Sequence, residues 1–336
     1  MNKKIVIVGG AGFIGHNLGI HLKRLGADVT LVDSLAVNNI NSVIDNKDNL
    51  PNPDLALNFL NERLRLIKKE NIKLYIQDAR DYHALSKIIN FIKPQIVIHL
   101  AAVSHSNRSN KDPYSTFDHS LRTLENSLDC SKNKVEQFIY FSSSMVYGNF
   151  NEKNVDEETH CNPLGIYGAL KFSGEKLVIG YNQVFDLPYT IIRPSALYGE
   201  RCISRRVGQI FIENAIQNKP IVTDGDGSDK LDFTYINDLM DGVVKAIENK
   251  NSINQIFNLT HGHGRSIKEL IGILKDSFPD IVIENKERDK LMPERGTLSI
   301  EKAKKLINYK PSWKLENGYR EYINWYKKIF EVQKLN

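Results

Sequence analysis

The apolar run Ile5-Val6-Ile7-Val8 passes directly into Gly9-Gly10-Ala11-Gly12-Phe13-Ile14-Gly15, after which apolar residues recur at Leu18, Leu22 and Leu25. An apolar run, glycines spaced by three and then a helical period predict strand, tight turn and helix in immediate succession. Glycines at 9, 12 and 15 let the backbone turn sharply and approach a pyrophosphate, which the positive end of the following helix holds. Asp33 closes a second predicted strand over Asp28 to Val32, near the offset of about 20 residues expected of an acid that hydrogen-bonds an adenosine ribose. A carboxylate there repels a 2′-phosphate, and no arginine follows it immediately. The expected cofactor is therefore NAD, with NADP disfavoured.

Further apolar runs at Leu74 to Ile76, Ile96 to Leu100, Phe138 to Phe141 and Tyr189 to Ile192 alternate with helical segments. That alternation predicts an α/β chain, a Rossmann-type doubly wound parallel sheet covered on both faces. A chain of 336 residues has room for a second, smaller unit. We expect an NAD-binding domain over residues 1–194 and about 232–260. A smaller α/β substrate-binding domain over 195–231 and 261–336 would close a cleft at the carboxyl ends of the strands. Between Asp33 and Leu74 lies more chain than a crossover needs. It is asparagine-rich from Asn38 to Asn52, and from Asp54 to Lys69 its leucines at 57, 60, 64 and 66 read as one amphipathic helix. Such an insert is surface decoration or a lid beside the ribose.

The chain carries a net charge of +5 with its lysines scattered, and no basic stripe interleaved with aromatics, so nucleic acid is not an expected partner. Cys130, Cys161 and Cys202 are widely spaced and form no paired motif, which predicts reduced thiols, no disulfide framework and no metal site. The start Met1-Asn2-Lys3-Lys4 imitates a signal peptide, but the glycines that follow and the lack of a small-residue cleavage site argue against one. No apolar run approaches about 20 residues, so no membrane association is expected and a cytoplasmic location is.

Tyr167 and Lys171 stand four residues apart in a predicted helix, which puts phenol and ammonium on one face. A free tyrosine titrates near pH ~10, and a fixed cation beside it favours the phenolate, so the pair can exchange a proton with an alcohol near neutrality. The spacing alone is common. Its weight comes from Ser142-Ser143-Ser144 after the strand ending at Phe141, from Val146-Tyr147-Gly148, and from the glycine turn. With His99-Leu100-Ala101-Ala102, Asp78, Arg193-Pro194 and Pro311-Ser312-Trp313, these motifs in this order resemble the extended short-chain dehydrogenase/reductase family, specifically its nucleotide-sugar epimerases and dehydratases. The resemblance covers nearly the whole chain.

What the resemblance implies is specific. Tyr167 would be the general acid-base, Lys171 would hold the nicotinamide ribose and lower the tyrosine's pKa, and Ser143, four residues before Tyr147, would steer the reacting hydroxyl. Gly9, Gly12, Phe13, Ile14, Gly15 and Asp33 would hold the rest of the dinucleotide. Asp78 and Ala79 would border the adenine, Leu100, Ala101 and Ala102 the cofactor's underside, and Pro194 the nicotinamide. Ser104, Ser144, Arg206 and Arg295 would face the substrate, Arg295 as a pyrophosphate clamp that binds two phosphate oxygens. His105 and Asn107 lie where the sugar-contacting loop runs. A homodimer through the tyrosine helix and a neighbouring helix is also implied.

The departures narrow the chemistry. Family dehydratases carry glutamate two residues after the catalytic serine, often with aspartate before it. Ser144 and Met145 stand there, and neither supplies the base and acid that elimination needs. Ala196, Leu231 and His119 replace an asparagine, an arginine and an asparagine of the family's substrate contacts, with Lys230, Arg205 or Arg206 as candidates to compensate. The expected function is thus NAD-dependent oxidation at carbon 4 of a nucleotide-diphosphate sugar, by a 4-epimerase or 4-dehydrogenase. The altered loops suggest an uncommon sugar such as a GDP-linked heptose or hexose of surface-polysaccharide (capsule) synthesis. A nucleotide keto-sugar reductase or 4,6-dehydratase is the alternative. A non-catalytic NAD-binding sensor or scaffold would be expected to have lost Ser143, Tyr167 or Lys171.

Overall fold

The computed structural model describes residues 1–45, 47–104, 106–150, 154–289 and 292–335. Its centre is a seven-stranded sheet of β1 (Lys4–Val8), β2 (Asp28–Asp33), β3 (Lys73–Ile76), β4 (Ile96–His99), β5 (Gln137–Phe141), β6 (Tyr189–Arg193) and β7 (Gln255–Asn258). The strands run β7-β6-β5-β4-β1-β2-β3, and every neighbouring pair is parallel. Strands of a parallel sheet are covered on both faces, and β4, β5 and β6 are buried at every residue. That is why they read as unbroken apolar runs. The seventh strand, Gln-Ile-Phe-Asn, carries no such run and was invisible to pattern; it joins by pairing Phe257 with Ile192.

The order reverses between β4 and β1, which opens a crevice at the carboxyl ends of those strands. Helix α1 (Phe13–Arg24) starts there with no capping side chain and no acid in its first turn, while His21, Lys23 and Arg24 occupy its last turn. This charge pattern complements the helix dipole and leaves its positive end free for an anion. Gly9 has φ +81°, and a Cβ on it would come within 2.7 Å of the Ala101 nitrogen, so only glycine allows β1 and β4 to turn outward side by side.

The insert forms a short helix, Ile40–Ile44, and then α2 (Pro53–Lys69). Its buried face is Leu55, Phe59, Leu60, Arg63 and Ile67, which is rotated from the leucine stripe at 57, 60, 64 and 66. The correction has a physical cause: two aromatic residues of another element and a buried arginine set the face. Phe59 packs 4.6 Å from the ring of Trp325 and 5.5 Å from that of Tyr326, both on the last helix, Leu315–Leu335. Asn52 donates to Glu213 at 2.8 Å and accepts from Gln217 at 2.9 Å. The insert is a strut between the glycine turn and the carboxyl-terminal helices.

Residues after Pro194 form helices and four short strand pairs, among them Leu197–Tyr198 with Thr234–Tyr235 and Ile221–Asp224 with Ile283–Lys286. Thr297–Leu298 pairs with Asn154–Val155, and this pairing carries the chain from Arg295 back beneath the central sheet's carboxyl edge. No helix among the described residues is long and apolar enough to cross a membrane.

Candidate active site

A cleft opens at the crevice. Its walls include Gly9, Gly12, Phe13, Ile14, Gly15, Asp33, Asp78, Ala79, Leu100, Ala101, Ala102, Ser104 and Arg206, so one wall gathers most of the residues expected to face a dinucleotide. Asp33 accepts from the Ala11 nitrogen at 2.9 Å and from the Leu35 nitrogen at 2.8 Å. Burial pushes its carboxyl up, and these backbone donors counter the shift. Asp78 is held below the usual carboxylate range: burial raises it, but the Arg80 guanidinium, 2.7 Å away, prevails. Ala79 is fixed through its carbonyl, which accepts from Asn126 at 2.9 Å. Ser104 accepts from Asn38 at 2.7 Å, so the insert bridges the cleft mouth.

Sequence reasoning missed Arg63. Its helix is amphipathic by its leucines, which give no signal for this position, yet its side chain is buried beside the cleft. Its Nε donates to the Arg201 carbonyl at 3.0 Å and Nη1 to the Ala11 carbonyl at 3.5 Å. Burial pushes it down to about 10, with Asp33 among the groups that resist the shift. Arg201 in turn donates to His16 at 3.1 Å, and burial and the two arginines hold that imidazole neutral.

The second group of predicted residues stands at the ends of β5 and β6 and on α5 (Gly165–Phe185). A Cβ on Gly168 would meet the Met145 carbonyl at 2.8 Å, so this glycine seats α5 against the turn Ser144–Tyr147. Tyr167 is half-buried beside that contact. Lys171 is buried one turn later, and its ammonium donates to the Phe141 carbonyl at 2.7 Å. Burial pushes Lys171 down to about 8, although Glu175 favours its charge. His99 is held neutral, pushed down to about 3 by burial and by Lys171.

The three adjacent serines divide into three tasks. Ser142 donates to Glu175 at 2.5 Å, deep below the surface. Ser143 caps the turn by accepting from the Met145 nitrogen at 3.2 Å, which leaves its own proton available. Ser144 accepts from Arg295. Beneath them Arg193 and Glu175 form a bidentate pair at 2.8 and 2.7 Å, and Arg193 also donates to Tyr147 at 2.8 Å. This buried network locks β6, α5 and the serine turn into one piece.

Arg295, expected to face the substrate, reaches the serine turn. Its Nη2 donates to the hydroxyls of Ser144 and, at 3.1 Å, Ser195, and its Nη1 lies 2.9 Å from the Met145 sulfur. The guanidinium stacks 5.2 Å from the Phe150 ring centre. Burial pushes it down to about 10, and Arg206 adds to that effect, which relates the cleft wall to the serine turn. Pro194 accepts from the Ser144 nitrogen at 3.0 Å. Of the substituted positions, His119 lines the cleft, Leu231 is half-buried, and Ala196 holds φ +36°, a conformation that asparagine tolerates better than alanine. Lys230 is exposed, and Arg205 pairs with Glu213 at 3.5 Å. His105 and the side chain of Asn107 lie outside the described residues.

Known proteins resemble this chain over nearly its whole length. The NAD dependent epimerase/dehydratase family matches over residues 5–260. A provisionally assigned UDP-glucose 4-epimerase of Methanocaldococcus jannaschii is 31% identical over 330 residues, covering 96% of this chain and 98% of that protein. The UDP-glucuronate 4-epimerase of Thermodesulfobacterium geofontis is 29% identical over 98% of both. The crystal structure of UDP-glucuronic acid 4-epimerase from Bacillus cereus, in complex with UDP-glucuronic acid and NAD, superposes with TM-score 0.85 at 27% identity, covering 97% of this chain and 99% of that one.

Proposed function

The chain belongs to the NAD-dependent epimerase/dehydratase family, and from that premise we propose that it is a UDP-sugar 4-epimerase. The observation that carries this reading is that Gly168 seats the helix bearing Tyr167 and Lys171 directly against the turn that Ser143 caps, at the carboxyl edge of the sheet. The relatives named above supply the UDP moiety and the choice of epimerisation, in place of the GDP-linked sugar expected from the altered loops.

Gly9 and its neighbours form a cradle that a side chain would fill, the open end of α1 suits a pyrophosphate, and Asp33 suits a ribose diol, so these residues fit NAD. When bound there, the nicotinamide supplies the hydride acceptor and donor for the sugar carbon. The chain's own part is proton transfer and orientation. Ser143 orients the carbon-4 hydroxyl by donating to its oxygen. Tyr167 takes that hydroxyl's proton as the carbon is oxidised and returns it after the sugar has turned its other face. Lys171 is a buried cation one turn further along the same helix, placed to hold the nicotinamide ribose. Ser144 and Met145 offer no acid-base pair for loss of water, so the 4-keto sugar is not drawn into dehydration.

The test is NMR of the products from UDP-glucose, UDP-glucuronate and UDP-N-acetylglucosamine, with the native protein and with Tyr167→Phe. Interconversion of the 4-epimers that falls at least about 1,000-fold in the variant supports the reading. A 6-deoxy product, or unchanged turnover in the variant, overturns it. A homodimer belongs to the same reading, because α5 turns Leu177 and Val184 to solvent and Phe117 is exposed nearby in sequence to the cleft wall. A monomeric mass by light scattering would count against it.

A further inference from the structure

A second cavity lies beside the cleft, between the insert and the helix Val207–Ile216. The loop 203–206 separates the two: Arg206 lines the cleft, Arg205 lines the second cavity, and Ile203 lines both. Arg205 has φ +48°, a left-handed conformation that strains a residue with a side chain, and backbone strain of this kind collects where a ligand is held. Much of the cavity wall is apolar, with Val43, Leu50, Pro51 and Ala56 from the insert facing Ile203.

The neutral polar groups of the wall are matched to one another. Glu213 accepts from Asn52 at 2.8 Å, from Gln209 at 2.8 Å and from the Tyr326 hydroxyl at 2.9 Å, and Gln209 accepts from the Arg205 nitrogen at 2.9 Å. The cations are not. Arg205 reaches Glu213 only at 3.5 Å, long for a charged hydrogen bond. The exposed side chain of Arg108, on the same cavity, has no hydrogen bond or ion pair among the described residues. A single free arginine on a surface is ordinary. Two that line one apolar-walled cavity, with a single and already saturated carboxylate between them, suit a dianion with an apolar body.

We propose that this cavity is a second ligand site, for a nucleoside monophosphate whose phosphate meets Arg108 and Arg205 and whose base lies against the apolar wall. A phosphate monoester supplies the double charge, and guanidinium groups bind its oxygens in pairs. A nucleobase is a flat body with a polar edge. Asn38, which lines both cavities, donates its amide to Ser104 at 2.7 Å and keeps its carbonyl free to accept from such an edge. The site is coupled to the cleft through Asn38 and Ile203, because an occupant that engages the one or presses on the other alters the cleft wall. Coupling of this kind is reciprocal, so a ligand of the cleft and a ligand of the second site change each other's affinity by the same factor.

The experiment is calorimetric titration of AMP, GMP and inorganic phosphate into the full chain saturated with NAD and UDP, which occupy the cleft so that binding elsewhere is read. At least one nucleotide should bind with a Kd of about 10–300 μM, and inorganic phosphate at least about tenfold more weakly. Arg108→Gln and Arg205→Gln should each weaken the nucleotide by about fivefold or more, and Ala56→Leu, which fills the apolar wall, should abolish its binding. Arg108→Gln should leave sugar turnover within about twofold of native, and retained NAD binding shows that each variant is folded. The bound nucleotide should shift UDP affinity by about threefold or more. Nucleotides that bind only when NAD and UDP are left out belong to the cleft, and that result overturns the site. Absence of binding, or native binding by both arginine variants, overturns it equally. Inorganic phosphate as tight as the nucleotides overturns the ligand class, and an unchanged UDP affinity overturns the coupling.

Discussion

The Lys171 ammonium donates to the carbonyl of Phe141 at 2.7 Å, a buried cation held at the end of the strand that delivers the serine turn. Folding lowers this ammonium from its ordinary 10.5 to about 8, chiefly through burial. Between those two values the unfolded chain holds more protons than the folded one, so stability rises with pH across that window and carries a constant penalty below it. Lys171→Met should therefore raise stability at pH 7 by about 1–2 kcal/mol, after the lost hydrogen bond is counted, while activity falls at least about 100-fold. In the native enzyme activity should decline above pH 8 as the charge is lost. Urea melts and a pH-rate profile read both effects, and a less stable Lys171→Met would contradict the account.

Alanine substitutions should separate the three serines by phenotype. Ser142→Ala removes a buried donor to Glu175 and should cost about 1.5–3 kcal/mol of stability. Ser143→Ala should leave stability within about 1 kcal/mol, as a turn cap on a short element, and lower kcat by about 100-fold or more. Ser144→Ala should act chiefly on KM for the sugar nucleotide. Thermal melts and steady-state kinetics distinguish them, and a kcat effect confined to Ser144 would reassign the hydroxyl.

Glu175→Gln breaks the bidentate pair with Arg193, whose two side chains are 1% and 3% exposed. An uncompensated guanidinium then remains in the core, and the expected loss is about 3–5 kcal/mol. Replacing both residues, Glu175→Leu with Arg193→Met, should cost less than the single change. A double variant as unstable as the single one would show that the pair is not the source of the effect.

Ala196 sits at φ +36°, in the region where Cβ crowds its own backbone. Ala196→Asn relieves part of that strain and should raise stability by about 0.5–1 kcal/mol by chemical denaturation. A loss of stability would mean that the added amide has no room beside the following strand Leu197–Tyr198.

The parallel sheet was legible because strands buried on both faces are unbroken apolar runs, and the glycine turn because close backbone approach excludes other residues at Gly9. The helix that carries Tyr167 and Lys171 was legible from their spacing, and it runs from Gly165 to Phe185. Three features were not. Gln255–Asn258 is an edge strand with a mixed pattern. The buried face of α2 depends on Trp325 and Tyr326, some 270 residues further along the chain, and no local period encodes that contact. The short pairing of Thr297–Leu298 with Asn154–Val155, which brings the chain beside Arg295 to the serine turn, is a tertiary event with no local pattern behind it.

The strut formed by α2 has a consequence for motion. Arg63 grips the Ala11 carbonyl in the glycine turn and the Arg201 carbonyl in the loop above the cleft at once. Swinging that loop away from the sheet therefore has to tug on the glycine turn. The two halves of the cleft have no independent hinge at this point, so opening wide enough to let the dinucleotide go requires α2 itself to lift, with Phe59 pulled from its aromatic socket. Loss of the Arg63 grip, as in Arg63→Met, would uncouple the two sides of the cleft and should speed the exchange of a bound dinucleotide.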